Sequence, residues 1–172
     1  MVTKTPVGFD VNLPSYISGY VDGEGCFTVS FSKRSKMREG WEVRPSFSVS
    51  QNSDRGEVLL DIQGYFQCGT IRPDRSDKTI KFEVRGIRDL VERIIPHFEA
   101  YPMRSSKQRD FELFARVCQL VRAGEHLMPD GFHKVVRTAV EMNGSGRRKF
   151  SAAEMLDNSK LKVIVSASSN GG

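Results

Sequence analysis

Phe27-Thr28-Val29-Ser30-Phe31-Ser32 and, after a basic turn, Val43-Arg44-Pro45-Ser46-Phe47-Ser48-Val49-Ser50 are the stretches that decide the fold. Both alternate apolar with polar residues, the period of a strand with one face on a core and the other in water. Pro45 cannot donate to a ladder and suits a sheet edge or a bulge. A second pair of strands is expected at roughly 69–74 and 78–85, with Ile80, Phe82 and Val84 facing inward. Between the pairs, residues 54–66 set Val58, Leu59, Ile62, Tyr65 and Phe66 on one helical stripe.

Upstream, Asn12-Leu13-Pro14-Ser15 has a cap residue and a proline pre-set for a first turn. The short helix it opens, Tyr16 to Val21, is expected to stop at Asp22-Gly23-Glu24-Gly25. Downstream, 87–95 reads as a helix ended by Pro96. Ser105 or Ser106 starts a longer one lined by Phe111, Phe114, Val117, Cys118 and Val121. Asp130 caps a helix running to Met142 and stopped by Asn143-Gly144, and Ser151-Ala152-Ala153-Glu154 has the capping-box pattern. The fold class is α+β, a mixed α-β-β-α-β-β-α core. One antiparallel sheet carries helices on one face and leaves the other open. A single domain over 13–158 follows, with an N-terminal extension at 1–12 and a flexible tail at 159–172.

The 172 residues are 38% hydrophobic and 27% charged, as expected of a packed globule. No apolar run approaches the ~20 residues of a membrane span, and no secretory core precedes residue 17, which points to an intracellular protein. Three widely spaced cysteines argue against a disulfide framework, and His97, His126 and His133 lack zinc-ligand spacing. Net charge is +5 and the pI is near 9.2. Lys33, Arg34, Lys36 and Arg38 form one basic cluster; Arg104, Lys107 and Arg109 form a second, and Arg147, Arg148 and Lys149 a third. Three such clusters on one face could follow a phosphate backbone.

The outward strand positions are Thr28, Ser30, Ser32, Arg44, Ser46, Ser48, Arg72, Asp74, Lys81, Glu83 and Arg85, with Arg34 at the turn beside them. They form either a plain solvated face or a groove-binding surface. Arg and Lys suit guanine edges and Ser and Thr bond to several bases. Few aromatics are present, which favours duplex over stacked single strands.

Ile17-Ser18-Gly19-Tyr20-Val21-Asp22-Gly23-Glu24-Gly25 resembles the signature of the LAGLIDADG homing endonucleases. Ile95-Pro96-His97-Phe98 through Lys107-Gln108, with Asp110-Phe111-Glu112, resembles that family's recurrent segment. So does Glu125-His126-Leu127 with Gly131-Phe132 and Met142-Asn143, and the likeness covers about 13–145. The resemblance implies a saddle-shaped sheet and cleavage of both strands of a long, nearly palindromic duplex site, or binding without cutting, or intron RNA maturation on the same scaffold. It implies Mg²⁺, with Mn²⁺ able to substitute, held by Glu24 and the Gly23 backbone carbonyl. Glu24, Gln51, Arg55 and Lys107 are the catalytic set it suggests, with Gln51 ordering water, Arg55 beside the scissile phosphate and Lys107 offsetting charge. Asp22 is expected to be a structural cap. One motif in a chain of this length implies a homodimer through Ile17, Ser18, Gly19 and Tyr20. The partners expected are double-stranded DNA and, on the maturase reading, intron RNA, in a bacterial cytoplasm or an organelle such as a chloroplast or mitochondrion.

Overall fold

Asn12 opens the first helix as its spelling suggests: its side-chain oxygen accepts the Ser15 N–H at 3.0 Å and Pro14 sits in the first turn. The computed structural model describes residues 12–74, 78–142 and 149–157. The chain order is α1 (Leu13–Glu24), β1 (Gly25–Lys33), β2 (Trp41–Asn52), a 3₁₀ turn Ser53–Arg55, α2 (Glu57–Phe66), β3 (Thr70–Pro73) and β4 (Thr79–Val84). A composite helix follows: α3 (Ile87–Asp89), a π turn Leu90–Ile94 and α4 (Ile95–Ala100). Then come α5 (Lys107–Arg122), α6 (Pro129–Glu141) and α7 (Ala152–Leu156).

The strands form one antiparallel sheet in the order β1-β2-β4-β3. Phe27, Val29, Val43, Phe47, Val49, Phe82 and Val84 are buried on one face, as the alternation predicts. Phe27 stacks on Phe47 with centroids 5.1 Å apart, and Phe98 meets both rings edge-on at 5.4 and 5.6 Å. Helices α1 and α5 lie against β1 and β2, and α2 against β3 and β4. Pro45 pairs with Val29 but lies outside the Phe47–Asn52 stretch that pairs with β4, so its missing N–H costs the sheet nothing there.

Several expectations need correction. The motif helix does not stop before Asp22 but runs through Gly23 to Glu24. Pro96 does not end its helix. The π turn, in which the Ile95 N–H reaches the Leu90 carbonyl, restarts the helix with Pro96 in a new first turn, where no N–H is needed. Asp130 lies inside α6 rather than at its cap, because Pro129 takes the first helical position. Tyr65 leaves the apolar stripe of α2, half exposed, with its hydroxyl on His97. The Ser151 capping box is present. Arg147, Arg148, the Asn143-Gly144 stop, residues 1–11 of the extension and the tail lie outside the described residues. Among the described residues no helix is long and apolar enough to cross a membrane.

Candidate active site and nucleic-acid face

Gly25 follows Glu24 directly and pairs with Val49, so the foot of α1 meets the end of β2 at one edge of the sheet. A Cβ at Gly25 would collide with the Val21 side chain and lie 2.8 Å from its carbonyl oxygen, so only glycine fits this helix-to-strand step. The Lys107 ammonium, on the first turn of α5, donates to the carbonyls of Gly25 at 2.6 Å, Val21 at 3.0 Å and Gly23 at 3.4 Å. It satisfies the carbonyl end of the motif helix, where the helix dipole is negative.

Asp22 acts as the expected structural tie. Its carboxylate accepts the N–H groups of Arg104 (3.0 Å) and Ser105 (3.1 Å) and the Ser105 hydroxyl. Partial desolvation acts upward on its pKa, but these bonds and the Lys107 charge outweigh it and hold the carboxyl below its usual range. Glu24 differs: it is exposed and makes no hydrogen bond or ion pair among the described residues. Gln51 donates to the Tyr20 hydroxyl at 2.5 Å and accepts the Asn52 N–H at 2.7 Å, so its amide orientation is set. Arg55 is exposed on the 3₁₀ turn and shares a groove of about 600 Å³ with Gln51, Tyr16 and Tyr20. Glu24, Gln51, Arg55 and Lys107 are thus gathered at one end of the sheet.

The interface expectation divides. Ile17 is fully buried and Ser18 is 5% exposed, both turned into this chain's own core, so neither can face a partner. The outward stripe of α1 is instead Leu13, Tyr16 (46% exposed), Gly19, Tyr20 and Gly23. A Cβ built on Gly19 or Gly23 meets nothing within 4 Å, leaving a flat strip where another backbone could come close.

Ser18 belongs to a buried polar chain. Its hydroxyl donates to the Tyr101 carbonyl at 2.6 Å and so must accept from His97 Nε2 at 3.1 Å, and His97 Nδ1 then accepts the Tyr65 hydroxyl at 3.0 Å. Burial pushes the His97 pKa down to about 4. Between about pH 6.5 and 4 the unfolded chain then binds the extra proton, so stability is complete above that window and falls as pH drops through it. The loss approaches roughly 3 kcal/mol. Thermal melts across this range should show the decline in the parent protein and a flatter profile in His97→Gln; equal profiles would remove His97 as the cause.

The open face also takes shape from register. Thr28 pairs with Ser46, Ser30 with Arg44, Ser48 with Glu83, and Arg72 with Lys81. Cys26, Glu42, Ser50 and Thr70 share the face by the same parity and extend the set read from the sequence. Arg85 reaches Glu83 at 3.1 Å, while Asp74 follows the end of β3 and its N–H meets the Thr79 carbonyl at 2.9 Å.

Residues 17–118 match the family model described as LAGLIDADG endonuclease. The chain belongs to the LAGLIDADG endonuclease family. Helix α1 carries its motif, and the α+β architecture agrees with solved members. The crystal structure of the homing endonuclease I-TnaI aligns with a TM-score of 0.72 and 30% identity, over 90% of this chain and 96% of that one. That of I-LtrWI, a LAGLIDADG homing endonuclease bound to target DNA, aligns with a TM-score of 0.74 and 37% identity, over 76% of this chain and 44% of that one. A probable intron-encoded endonuclease of Neurospora crassa is 32% identical over 131 residues, 76% of this chain but 29% of its own length. The LAGLIDADG unit described here therefore spans well under half of that curated relative.

Proposed function

We propose that this LAGLIDADG protein is a site-specific DNA endonuclease of the intron-homing kind, cutting both strands of a long, pseudo-palindromic duplex site by Mg²⁺-dependent hydrolysis. The observation that carries this reading is the Glu24 carboxylate, exposed and without a partner among the described residues, at the end of an open sheet face dressed with Arg, Lys and Ser. The DNA-bound I-LtrWI structure supports duplex DNA as the partner. The setting we infer is intracellular, a bacterial cytoplasm or an organelle, and the intron-encoded relative supports an intron origin.

A hard divalent cation fits the oxygen donors at the foot of α1. Glu24 supplies a free carboxylate and Gly23 a carbonyl, at a helix end whose dipole already draws the Lys107 ammonium. No group of three or more acidic, His or Cys ligands that could hold a metal exists among the described residues, so phosphate, water and a second motif must complete any shell. Bound Mg²⁺, or Mn²⁺ in its place, would neutralise phosphate charge and make a coordinated water more acidic. Gln51, oriented by Tyr20 and Asn52, holds a water near the phosphate, and Arg55 contacts the phosphate itself. Lys107 offsets charge growing on the phosphate oxygens.

Two strands need two centres, and the strip of Leu13, Tyr16, Gly19, Tyr20 and Gly23 fits the matching strip of a second copy, bringing two Glu24 side chains together. Incubation with a randomised duplex library and Mg²⁺, followed by sequencing of cut ends, tests the whole reading. The expected result is cleavage of both strands at one nearly palindromic site, abolished by chelation and restored by Mg²⁺ or Mn²⁺. An asymmetric site would replace the second copy with a different motif. Enrichment without cuts, or cutting that survives chelation, would overturn the enzyme assignment.

A further inference from the structure

Six of the charged groups on the open face sort themselves into two sets of three. Glu42 on β2 holds Arg34 at 2.7 Å and Arg44 at 2.6 Å, and also receives the Ser32 hydroxyl at 3.4 Å. Glu83 on β4 holds Arg72 at 2.6 Å and Arg85 at 3.1 Å. Each carboxylate sits deeper than its arginines: side-chain exposure is 23% for Glu42 and 11% for Glu83, against 52–63% for the arginines of the two sets. On a face meant for phosphates a lone carboxylate is a liability. A carboxylate sunk beneath two guanidiniums is a mount that fixes two otherwise floppy side chains.

The register gives the spacing. Glu83 lies level with Ser48, and Glu42 is six residues before Ser48 on β2. At ~3.3 Å per residue the two mounts stand about 20 Å apart along the sheet, close to six base pairs at ~3.4 Å each. The hydroxyls between them are already engaged: Thr28 and Ser46 bond to each other at 2.8 Å, and Ser30 donates to the Arg44 carbonyl at 3.3 Å. That middle ground has less to offer base edges.

We propose that the face reads each half-site through two pre-set arginine pairs, Arg72/Arg85 on Glu83 and Arg34/Arg44 on Glu42. The half-site then has two guanine-favouring blocks about six base pairs apart, separated by a weakly read stretch. This rests on the duplex-DNA reading above and deepens it. Glu42 and Glu83 are positioning residues: they touch the arginines, and the arginines touch the bases.

Binding selection from a randomised duplex library tests it, using the parent protein, Glu83→Gln and Glu42→Gln in Ca²⁺. In the parent protein two guanine-rich blocks of the stated spacing are expected. Glu83→Gln should cut preference in the block nearer the cleavage point about tenfold and leave the other intact, and Glu42→Gln should do the reverse. Both variants should bind random duplex severalfold more tightly, because a negative charge is gone. The block that each variant retains reports that it is folded, so selective loss of the other block is not misfolding. One continuous block in the parent protein, or variants that weaken every position alike, would overturn the arginine-pair model while leaving the DNA reading standing. No enrichment by the parent protein would overturn the DNA reading itself.

Discussion

Glu24→Gln should abolish cleavage, slowing single-turnover cutting by about a thousandfold or more, with duplex affinity kept within about threefold. The side chain is exposed, ends its helix and has no partner among the described residues, so the fold loses nothing when its charge goes. The amide keeps the shape and one acceptor oxygen but cannot neutralise a cation. On the proposed reading affinity resides in the sheet face, away from this position, so binding and cutting are expected to separate. Gel-shift titration beside a cleavage time course measures both. A rate within tenfold of the parent would remove Glu24 from the mechanism, and parallel loss of binding would recast it as a DNA contact.

Lys107→Met should be the next most damaging change, lowering the cleavage rate about a hundredfold. It should also destabilise the fold by about 1–3 kcal/mol. The ammonium is the donor for the carbonyls of Val21, Gly23 and Gly25, and methionine preserves the stem while leaving those oxygens without it. The two effects have different readouts. Denaturant melts report the lost helix cap, and single-turnover rates on folded protein with saturating duplex report charge compensation at the phosphate. If stability falls while that rate holds, Lys107 only caps the helix.

The sheet was legible because one-sided burial imposes a period of two, and Phe27, Val29, Phe47, Val49, Phe82 and Val84 obey it. The same parity, carried one step further, reaches Cys26, Glu42, Ser50 and Thr70. The end of α1 was harder. Asp22 and Gly23 are poor helix residues by local preference, and what keeps them helical lies more than eighty residues away, in the Arg104–Ser105 main chain and the Lys107 ammonium. Pro96 misled for a related reason, since its tolerance depends on a π turn that no local pattern announces. The resemblance implies an interface that includes Ile17 and Ser18, yet Ile17 and Val21, four apart and both apolar, mark the inward side of the helix, and Ser18 lies on it beside His97. The Glu42 and Glu83 mounts depend on cross-strand neighbours and stay hidden until the register is known.

The alternation along β1 and β2 has an evolutionary consequence. From Phe27 to Val29 and from Val43 to Val49 the odd-numbered side chains make the core and the even-numbered ones lie on the open face, so heredity can rewrite one series while sparing the other. Substitutions at solvent-facing strand positions usually move stability by no more than ~0.5 kcal/mol. On the proposed DNA reading, a change at an outward position such as Arg44 therefore alters what the face recognises while the core series stays untouched.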